Sequence, residues 1–458
     1  MFLSGMQAAV QVSPLTVVVR GAIERWLAPE ILAEIARQSG SDNYERKITL
    51  QALTAIMLDA VVGMQPSVHA AAVARRDQWQ GSVQALYTKL GRVDPKFSIG
   101  LVRQTFQGIS PLLTRPRKSK SLPGPVKILD GTMPDGSEHR LGVLRRLGPA
   151  GLPAQAVIVY DLATGLCDRI AVDEDAYKSE KPLAEELLEE ALPGEIYLGD
   201  RAFCTYRLMA QTLDHQAFFV FREHHYNLVY EQQLPDKRCG RCSTGRVLEA
   251  QVRLYNRAQD CVWQLRRIHV ELDVPTEAGE HDLWLLTNLP PTYKARAIAE
   301  LYRSRWKIER HFHLVKRELH GQMPSLGGPR AAIFALCISL AAGNVLALIK
   351  HLPPAKRSSA TRPQPAPSGY YLALEIGRSY AAIEALTTPR SWRSIARLSP
   401  LAFWRWARKL AAQIPWSRYV VHPRGPKQRP PPRSSGKHRH HFSTYRLLQE
   451  KENGSNAC

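Results

Sequence analysis

At 458 residues the chain is long enough for two or three domains with cores of their own. Its hydrophobic fraction of 44% is that of a globular protein, but 62 Lys and Arg against 41 Asp and Glu leave a formal net charge of +21. That excess favours a polyanionic partner and supplies the sequence-independent part of nucleic-acid binding, although it does not separate such a protein from a basic, unspecialised one such as a ribosome-associated factor. Seven cysteines, an odd number scattered over a long chain, exclude a disulfide framework and fit a reducing cytoplasm.

The first residues, MFLSGMQAAVQVSPL, lack a basic leader region and are broken by Gln, Ser and Pro, so no signal peptide is expected. Residues 16 to about 115 read as helical: ILAEIARQSG ends in a Gly stop signal, and ITLQALTAIMLDAVVGM spaces its apolar residues at helical intervals. This predicts a helical N-terminal domain over 1–120, able to bind DNA, mediate assembly or simply pack. TRPRKSKSLPGP (114–125) has the basic, Pro and Gly character of a linker.

From there the pattern turns to strands. VKILDGTMP (126–134), HRLGVLRRLG (139–148) and PAQAVIVYDLATG (153–165) are apolar or β-branched runs closed by Gly or Pro. KPLAEELLEEALPG (181–194) reads as a helix, EIYLGD (195–200) as a short buried strand and QAFFVFR (216–222) as another, with a helix between them. Together they predict a mixed α/β sheet over 121–222. Residues 223–292 change character again: LVYEQQL, GRVLEAQVRLYN, CVWQLRRIHVEL and HDLWLLTNLP suggest about four strands in a separate β-rich insertion. Helical periodicity returns over 292–320, opening a second core segment that is read as 293–400. Ala331 to Ile349 is a stretch without a charge and borderline in length for a membrane span. Its strongly basic surroundings and the absence of a second span favour a buried helix, so no membrane partner is expected. LPPAKRSSATRPQPAPSG (352–369) reads as a linker. Residues 401–458, with Arg424, Lys427, Arg429, Arg433, Lys437 and Arg439 among prolines and histidines, read as a disordered basic tail.

The chemistry-bearing residues lie in three places. Tyr302, Arg305, Glu309 and Lys316 stand 3, 7 and 14 residues along from the first. At about 100° per residue they fall within roughly 60° of one another, so a single long helix would show a phenol, a guanidinium, a carboxylate and an ammonium on one face. His313 shares that face. A solvated charged face with i,i+4 pairs explains the same spacing equally well. Asp130 ends one apolar strand and is followed by Gly-Thr; Asp200 ends another and is followed by Arg-Ala-Phe. A lone Asp in such a place is most often a cap, but a buried carboxylate is costly unless paired or metal-bound, and two such strand ends plus a later helical acid make a cluster of three. Hard oxygen ligands suit Mg²⁺ or Mn²⁺. No phosphate-binding Walker loop is present. Cys239-Gly-Arg-Cys242 has zinc-knuckle spacing without a second pair and is read as a hairpin turn. Asp135 and Glu138 are read as loop acids, His224 and His225 as surface residues, and Trp263 as a core residue.

LDGT at Asp130, GDRAF after Leu198 and the spacing Y-x2-R-x3-E-x6-K at Tyr302, Arg305, Glu309 and Lys316 resemble the DDE transposases of bacterial insertion sequences that carry the Tyr-Arg-Glu-Lys signature. The resemblance covers roughly residues 120 to 350. It implies an RNase H-like mixed sheet with the β-rich insertion between its last strand and the Glu-bearing helix. It implies that Asp130, Asp200 and Glu309 form the catalytic, metal-binding triad, holding two Mg²⁺ or Mn²⁺ ions. It also implies that Tyr302, Arg305 and Lys316 contact phosphates of the transposon end; Arg201, beside Asp200, is a weaker candidate for the same role. The activity implied is cleavage of the element's terminal inverted repeats and joining of the 3′-OH to target DNA, by a homodimer on double-stranded DNA in a bacterial cytoplasm. The alternatives are an RNase H-like nuclease without strand joining and a domesticated or inactive DNA-binding relative.

Overall fold

The computed structural model describes residues 2–40, 47–113, 122–134, 141–146, 151–223, 228–258, 260–323, 325–353, 366–421 and 442–455. Asp135, Glu138, His224 and His225 lie outside the described residues, as do 354–365 and 422–441 of the expected linker and tail.

The chain opens with α1 (Phe2–Val12), α2 (Pro14–Trp26), α3 (Pro29–Gln38), α4 (Leu50–Val61), α5 (Val68–Ala74), α6 (Val83–Leu90) and α7 (Pro95–Leu113). Hydroxyl residues set several of their starts. Ser13, Thr49, Ser67 and Ser82 each accept a hydrogen bond from a first-turn N–H of the helix that follows.

The sheet begins with β1 (Val126–Thr132), β3 (Gln155–Asp161) and β4 (Cys167–Asp173); the two-residue β2 (Gly151–Leu152) lies between β1 and β3 in the chain and outside this sheet. β3 pairs antiparallel with both β1 and β4. α8 (Glu180–Leu188) then crosses back, so that β5 (Ile196–Gly199) lies parallel to β1. α9 (Tyr206–Asp214) does the same for β6 (Phe218–Arg222), parallel to β5. The order β4-β3-β1-β5-β6, three antiparallel strands followed by two parallel crossovers, is an RNase H-like sheet. The third strand is therefore Cys167–Asp173 and not 139–148, whose described part holds a 3-10 turn at Gly142–Leu144.

The β-rich segment comprises β7 (Tyr230–Gln233), β8 (Lys237–Cys242), β9 (Gly245–Asn256), β10 (Cys261–Leu272) and β11 (Asp282–Thr287). It is not a separate sheet. β11 pairs antiparallel with β6, and the ladder runs on through β10 and β9 to β7, giving one ten-stranded sheet. The open N–H and C=O groups on the outer edge of β6 are what the insertion covers. Cys239 and Cys242 lie in β8, just before its turn into β9, and are free thiols. Trp263 packs on Tyr206 beside the core.

After β11 come α10 (Ala295–Arg303), a 3-10 step at Ser304–Trp306, α11 (Lys307–His313) and a π-helical stretch at Leu314–Glu318. The expected uniform helix is thus tightened at one point and widened at another, which breaks the strict 100° phase assumed for its face. α12 (Pro329–Lys350) is buried from Ala331 to Ile349 and packs on α7, as expected for a core helix. α13 (Gly369–Leu386), α14 (Pro389–Ala396) and α15 (Pro400–Ala411) pack on α2. They share one hydrophobic core with the N-terminal helices, so the division drawn at residue 400 cuts through packed neighbours. The tail is corrected in the same way. Residues 400–411 are helical because Phe403, Ala407 and Leu410 make a buried stripe. Further on, β12 (Phe442–Ser443) pairs with β2 and leads into α16 (Thr444–Ser455). Ser443 Oγ and Arg446 Nε donate to the Asp175 carboxylate at 2.6 and 2.5 Å.

Candidate active site

Two strand ends place the first two acids. β1 and β5 run in parallel register from Val126 beside Ile196 to Leu129 beside Gly199. The next residue on each strand path is Asp130 and Asp200, one strand spacing apart, about 4.8 Å. Val126 and Ile128 alternate onto one face with Asp130, and Ile196 and Leu198 onto the same face with Asp200. These four apolar residues share a core with Ala295, Ile298, Ala299, Tyr302 and Ile308 of the helices above. The same packing brings Glu309, next to Ile308, over the strand ends.

Arg305 joins the two levels. Its Nη1 donates to Asp130 Oδ2 at 3.0 Å and its Nη2 to Glu309 Oε1 at 3.2 Å. Its Nε is buried with no hydrogen-bond partner. Asp130 Oδ1 accepts from the Gly131 N–H at 3.1 Å, and Asp200 Oδ1 caps the following 3-10 turn through the Ala202 N–H at 2.8 Å. Burial pushes Asp130 up to about 7; Arg305 opposes the shift, while the charges of Asp200, Glu180 and Glu309 add to it.

Glu180 is a fourth acid, absent from the sequence-based candidates. It is the first residue of α8, where an acid reads as an ordinary complement to the helix dipole. In the fold its carboxylate lies directly against Gly131, on the opposite face of the sheet from Arg305; a Cβ at 131 would overlap it. Gln155 Nε2 donates to Glu180 Oε1 at 2.8 Å. Burial and then the Asp200 charge raise the Glu180 pKa. No sequence pattern announces this contact, because Gly131 and Glu180 meet only once α8 folds across β1 and β3.

The signature residues divide. Tyr302 belongs to the apolar stripe of α10 and is buried. With Arg222, Arg305 and Trp306 it lines a cavity of about 350 Å³ between the insertion and the helix. Lys316, on the π-helical stretch, donates to the Met133 carbonyl at 2.7 Å, pinning the chain just past β1. Arg201 pairs with Glu280, which also takes Arg222. Glu309 remains 42% exposed and lines an open cleft of about 950 Å³ with Arg303, Trp306, Lys307, Arg310 and His313. His313 lies 3.5 Å from Glu318.

Residues 149–344 match the family described as Transposase DDE domain. The matched stretch contains Asp200 and Glu309 and starts after Asp130, so the place of Asp130 beside Asp200 rests on the strand register and on Arg305. No curated protein matches the chain. A solved structure, the cryo-EM structure of the piggyBac transposase synaptic complex with hairpin DNA, is similar at 10% identity and a TM-score of 0.43, over 89% of this chain and 86% of that one.

The residues at the centre suit a divalent cation by donor chemistry: Asp130 and Glu309 share one guanidinium at the end of the sheet, and Asp200 and Glu180 lie close enough to act on the Asp130 charge. They do not form a closed coordination set. Among the described residues no three His, Cys, Asp or Glu side chains converge as a ready metal site. Asp130 and Glu309 are drawn to Arg305 instead.

Proposed function

We propose that the chain is a transposase that cuts the ends of its own mobile element and joins the freed 3′-OH to a target duplex, with Asp130, Asp200 and Glu309 as its catalytic acids. The observation that carries this reading is the parallel register of β1 and β5, which sets Asp130 and Asp200 level on neighbouring strands beneath the Arg305–Glu309 pair. It is supported by the transposase match over 149–344.

Asp130, Asp200 and Glu309 would hold Mg²⁺ or Mn²⁺, two ions in this reading. When bound, such ions activate the attacking oxygen and offset charge on the leaving 3′ oxygen. The protein's own groups supply position. Backbone pairing with Ile158 fixes Asp130, and Asp200, directly after the last paired residue of β5, is held by its cap on the Ala202 N–H, so neither must be ordered during the reaction. Lys316 holds the exit of β1 and keeps Asp130 at the rim. Lys307 and Arg310, exposed beside Glu309, offer the cleft two cations for a DNA backbone. Arg305 is the residue that must change partners. An incoming phosphate accepts its fork as well as a carboxylate does, and would draw it from Asp130 and Glu309. Double-stranded DNA is thus the partner, bound in this reading by a homodimer that bridges two element ends.

The test is a reaction of the purified full-length chain with Mg²⁺ and DNA carrying the flanking inverted repeat. Wild type should nick the ends and join them to a second duplex. Asp130→Asn, Asp200→Asn and Glu309→Gln should bind that DNA and leave it uncut. Equal cleavage by all four proteins removes the triad. Nicking without joining by the wild type selects the nuclease reading.

A further inference from the structure

The helices at the far end of the chain carry a charge pattern that the carboxylate site does not use. From Ala385 to Gln449 the sequence has no Asp or Glu and fourteen Lys or Arg. α14 and α15 each split this charge from their packing. On α14, Trp392 and Ile395 are buried, while Arg390, Arg393 and Arg397 are exposed at offsets of 0, 3 and 7, a single stripe on the opposite side. On α15, Phe403, Ala407 and Leu410 are buried, and Arg405, Arg408 and Lys409 are exposed opposite them. Among the described residues Arg393, Arg397, Arg405, Arg408 and Lys409 have no carboxylate partner. Several exposed arginines of the β-rich segment are matched, as in Arg253–Glu231, Arg246–Glu271 and Arg241–Asp273.

A second observation adjoins this face. Arg393 and Arg397 form part of the wall of a cleft of about 920 Å³ that also contains Arg20 and Arg75. The hydroxyl of Thr54, on the same wall, is buried and without a hydrogen-bond partner, as is Arg20 Nε. Arg20 and Arg75 of the cleft are matched by Glu24, Asp59 and Glu384, so the uncompensated charge beside it is that of Arg393 and Arg397.

Like charges left unpaired repel one another and cost stability, and a polyanion removes that cost. An anionic membrane would need an apolar helix face free to enter it, and the apolar faces of α14 and α15 are already buried against α2. Two short helices packed on the same α2, each with cations at about one-turn spacing, offer repeated charges to the phosphates of a duplex. We infer that the exposed faces of α14 and α15 bind the backbone of a second duplex, the target DNA, without regard to its sequence. This rests on the strand-joining reading, since joining requires two duplexes on one protein. Contacts to phosphates carry no base information, which suits a duplex other than the element's own ends.

The experiment uses the full-length chain and two variants, Arg393→Gln/Arg397→Gln and Arg405→Gln/Arg408→Gln/Lys409→Gln. Binding to a random-sequence duplex lacking inverted repeats is measured by fluorescence anisotropy between about 50 and 200 mM salt. Each variant should bind at least several-fold more weakly, and its slope of log affinity against log salt should fall by about one for each phosphate it no longer neutralises. Melting temperatures should not fall, because the replaced side chains are exposed and their mutual repulsion is removed. With pre-cut element ends, joining should drop while cleavage of uncut ends stays at the wild-type level. Unchanged affinity and slope in both variants would overturn the inference. So would loss of binding to anionic phospholipid vesicles with DNA binding intact. If the wild type cuts no DNA at all, the transposase reading falls, and the salt-slope measurement still decides whether this face binds a duplex.

Discussion

Arg305 holds Asp130 and Glu309 on one guanidinium, 3.0 Å from the first carboxylate and 3.2 Å from the second. The pair is separated by 179 positions in the sequence, and it is this one side chain that closes strand end onto helix. The same guanidinium stands where a divalent cation would have to come. In the proposed reading, ion binding and Arg305 are therefore competitors for two of the three acids.

Replacing Arg305 by Gln should expose that competition. Without metal, the variant loses the charge that offsets a largely buried Asp130, and it should melt below the wild type, by the order of 1–3 kcal/mol for an unpaired, partly buried acid. Added Mn²⁺ should raise its melting temperature more than it raises that of the wild type, because ligand stabilisation grows with affinity. A thermal-shift titration with Mn²⁺, without DNA, reads this directly. A smaller Mn²⁺ response in Arg305→Gln than in wild type would show that Arg305 assists ion binding and does not compete with it.

Gly131 is where the fourth acid approaches the strand. A methyl group at this position would overlap the Glu180 carboxylate, so Gly131→Ala must displace α8 or swing Glu180 away. The overpacking should cost about 1–3 kcal/mol. The double variant Gly131→Ala/Glu180→Ala removes the overlapping group, so the two costs should not add. Denaturant midpoints of the two single variants and the double variant give the coupling. Additive costs would mean that Glu180 does not rest on Gly131.

Much of this centre is legible in the sequence, for local reasons. The Arg305–Glu309 pair follows from i,i+4 spacing, and each aspartate from an apolar run that ends in an acid. The level placement of Asp130 and Asp200 is not legible, because the pairing of β1 with β5 depends on a crossover of some sixty residues. β4 is hidden because charge interrupts its apolar alternation: Asp168 bonds to Lys127 at 2.8 Å, and Arg169 bonds to Tyr197 at 2.9 Å, all four side chains buried. Signature spacing assigns Tyr302 to DNA, yet Ala295, Ile298, Ala299 and Tyr302 form a plain i, i+3, i+4, i+7 apolar stripe. The stripe is the stronger signal for where its ring goes. The insertion reads as separate because sequence shows a change of composition and not which strand edge it will cover.

Glu180 also gives a pH signature. Burial and the Asp200 charge raise its folded pKa above that of the unfolded chain, so the ionised form is the disfavoured one in the fold. The penalty is absent below the unfolded pKa, near 4.5, and grows as pH rises through the higher folded value. Glu180→Gln, which keeps the shape and stays neutral, should therefore match the wild type in melting temperature at about pH 4 and exceed it at pH 8. A gain present only at low pH would contradict the assignment. Equal melting temperatures at both ends would mean that burial does not act on this carboxylate.

Glu280 runs the other way. It receives Arg201 and Arg222 together, and the bond from Arg201 foremost holds its carboxyl down to about 2. The lowered pKa means that its contribution is complete above the unfolded value of 4.5 and is lost as pH falls toward 2. The melting-temperature gap between wild type and Glu280→Gln should thus be constant from about pH 8 to 5 and shrink below that. It should amount to no more than about 1 kcal/mol, because all three side chains are partly open to water. Its interest is functional. Glu280 lies in the turn before β11 and neutralises Arg201, the residue beside Asp200, so the insertion controls whether that cation is available. Freed by Glu280→Gln, Arg201 should strengthen binding of inverted-repeat DNA at low salt, with the gain vanishing as salt rises, as expected for one added phosphate contact. Anisotropy titrations of the variant and of Glu280→Gln/Arg201→Gln separate the cases: if the double variant retains the gain, the added contact comes from Arg222 and not from Arg201.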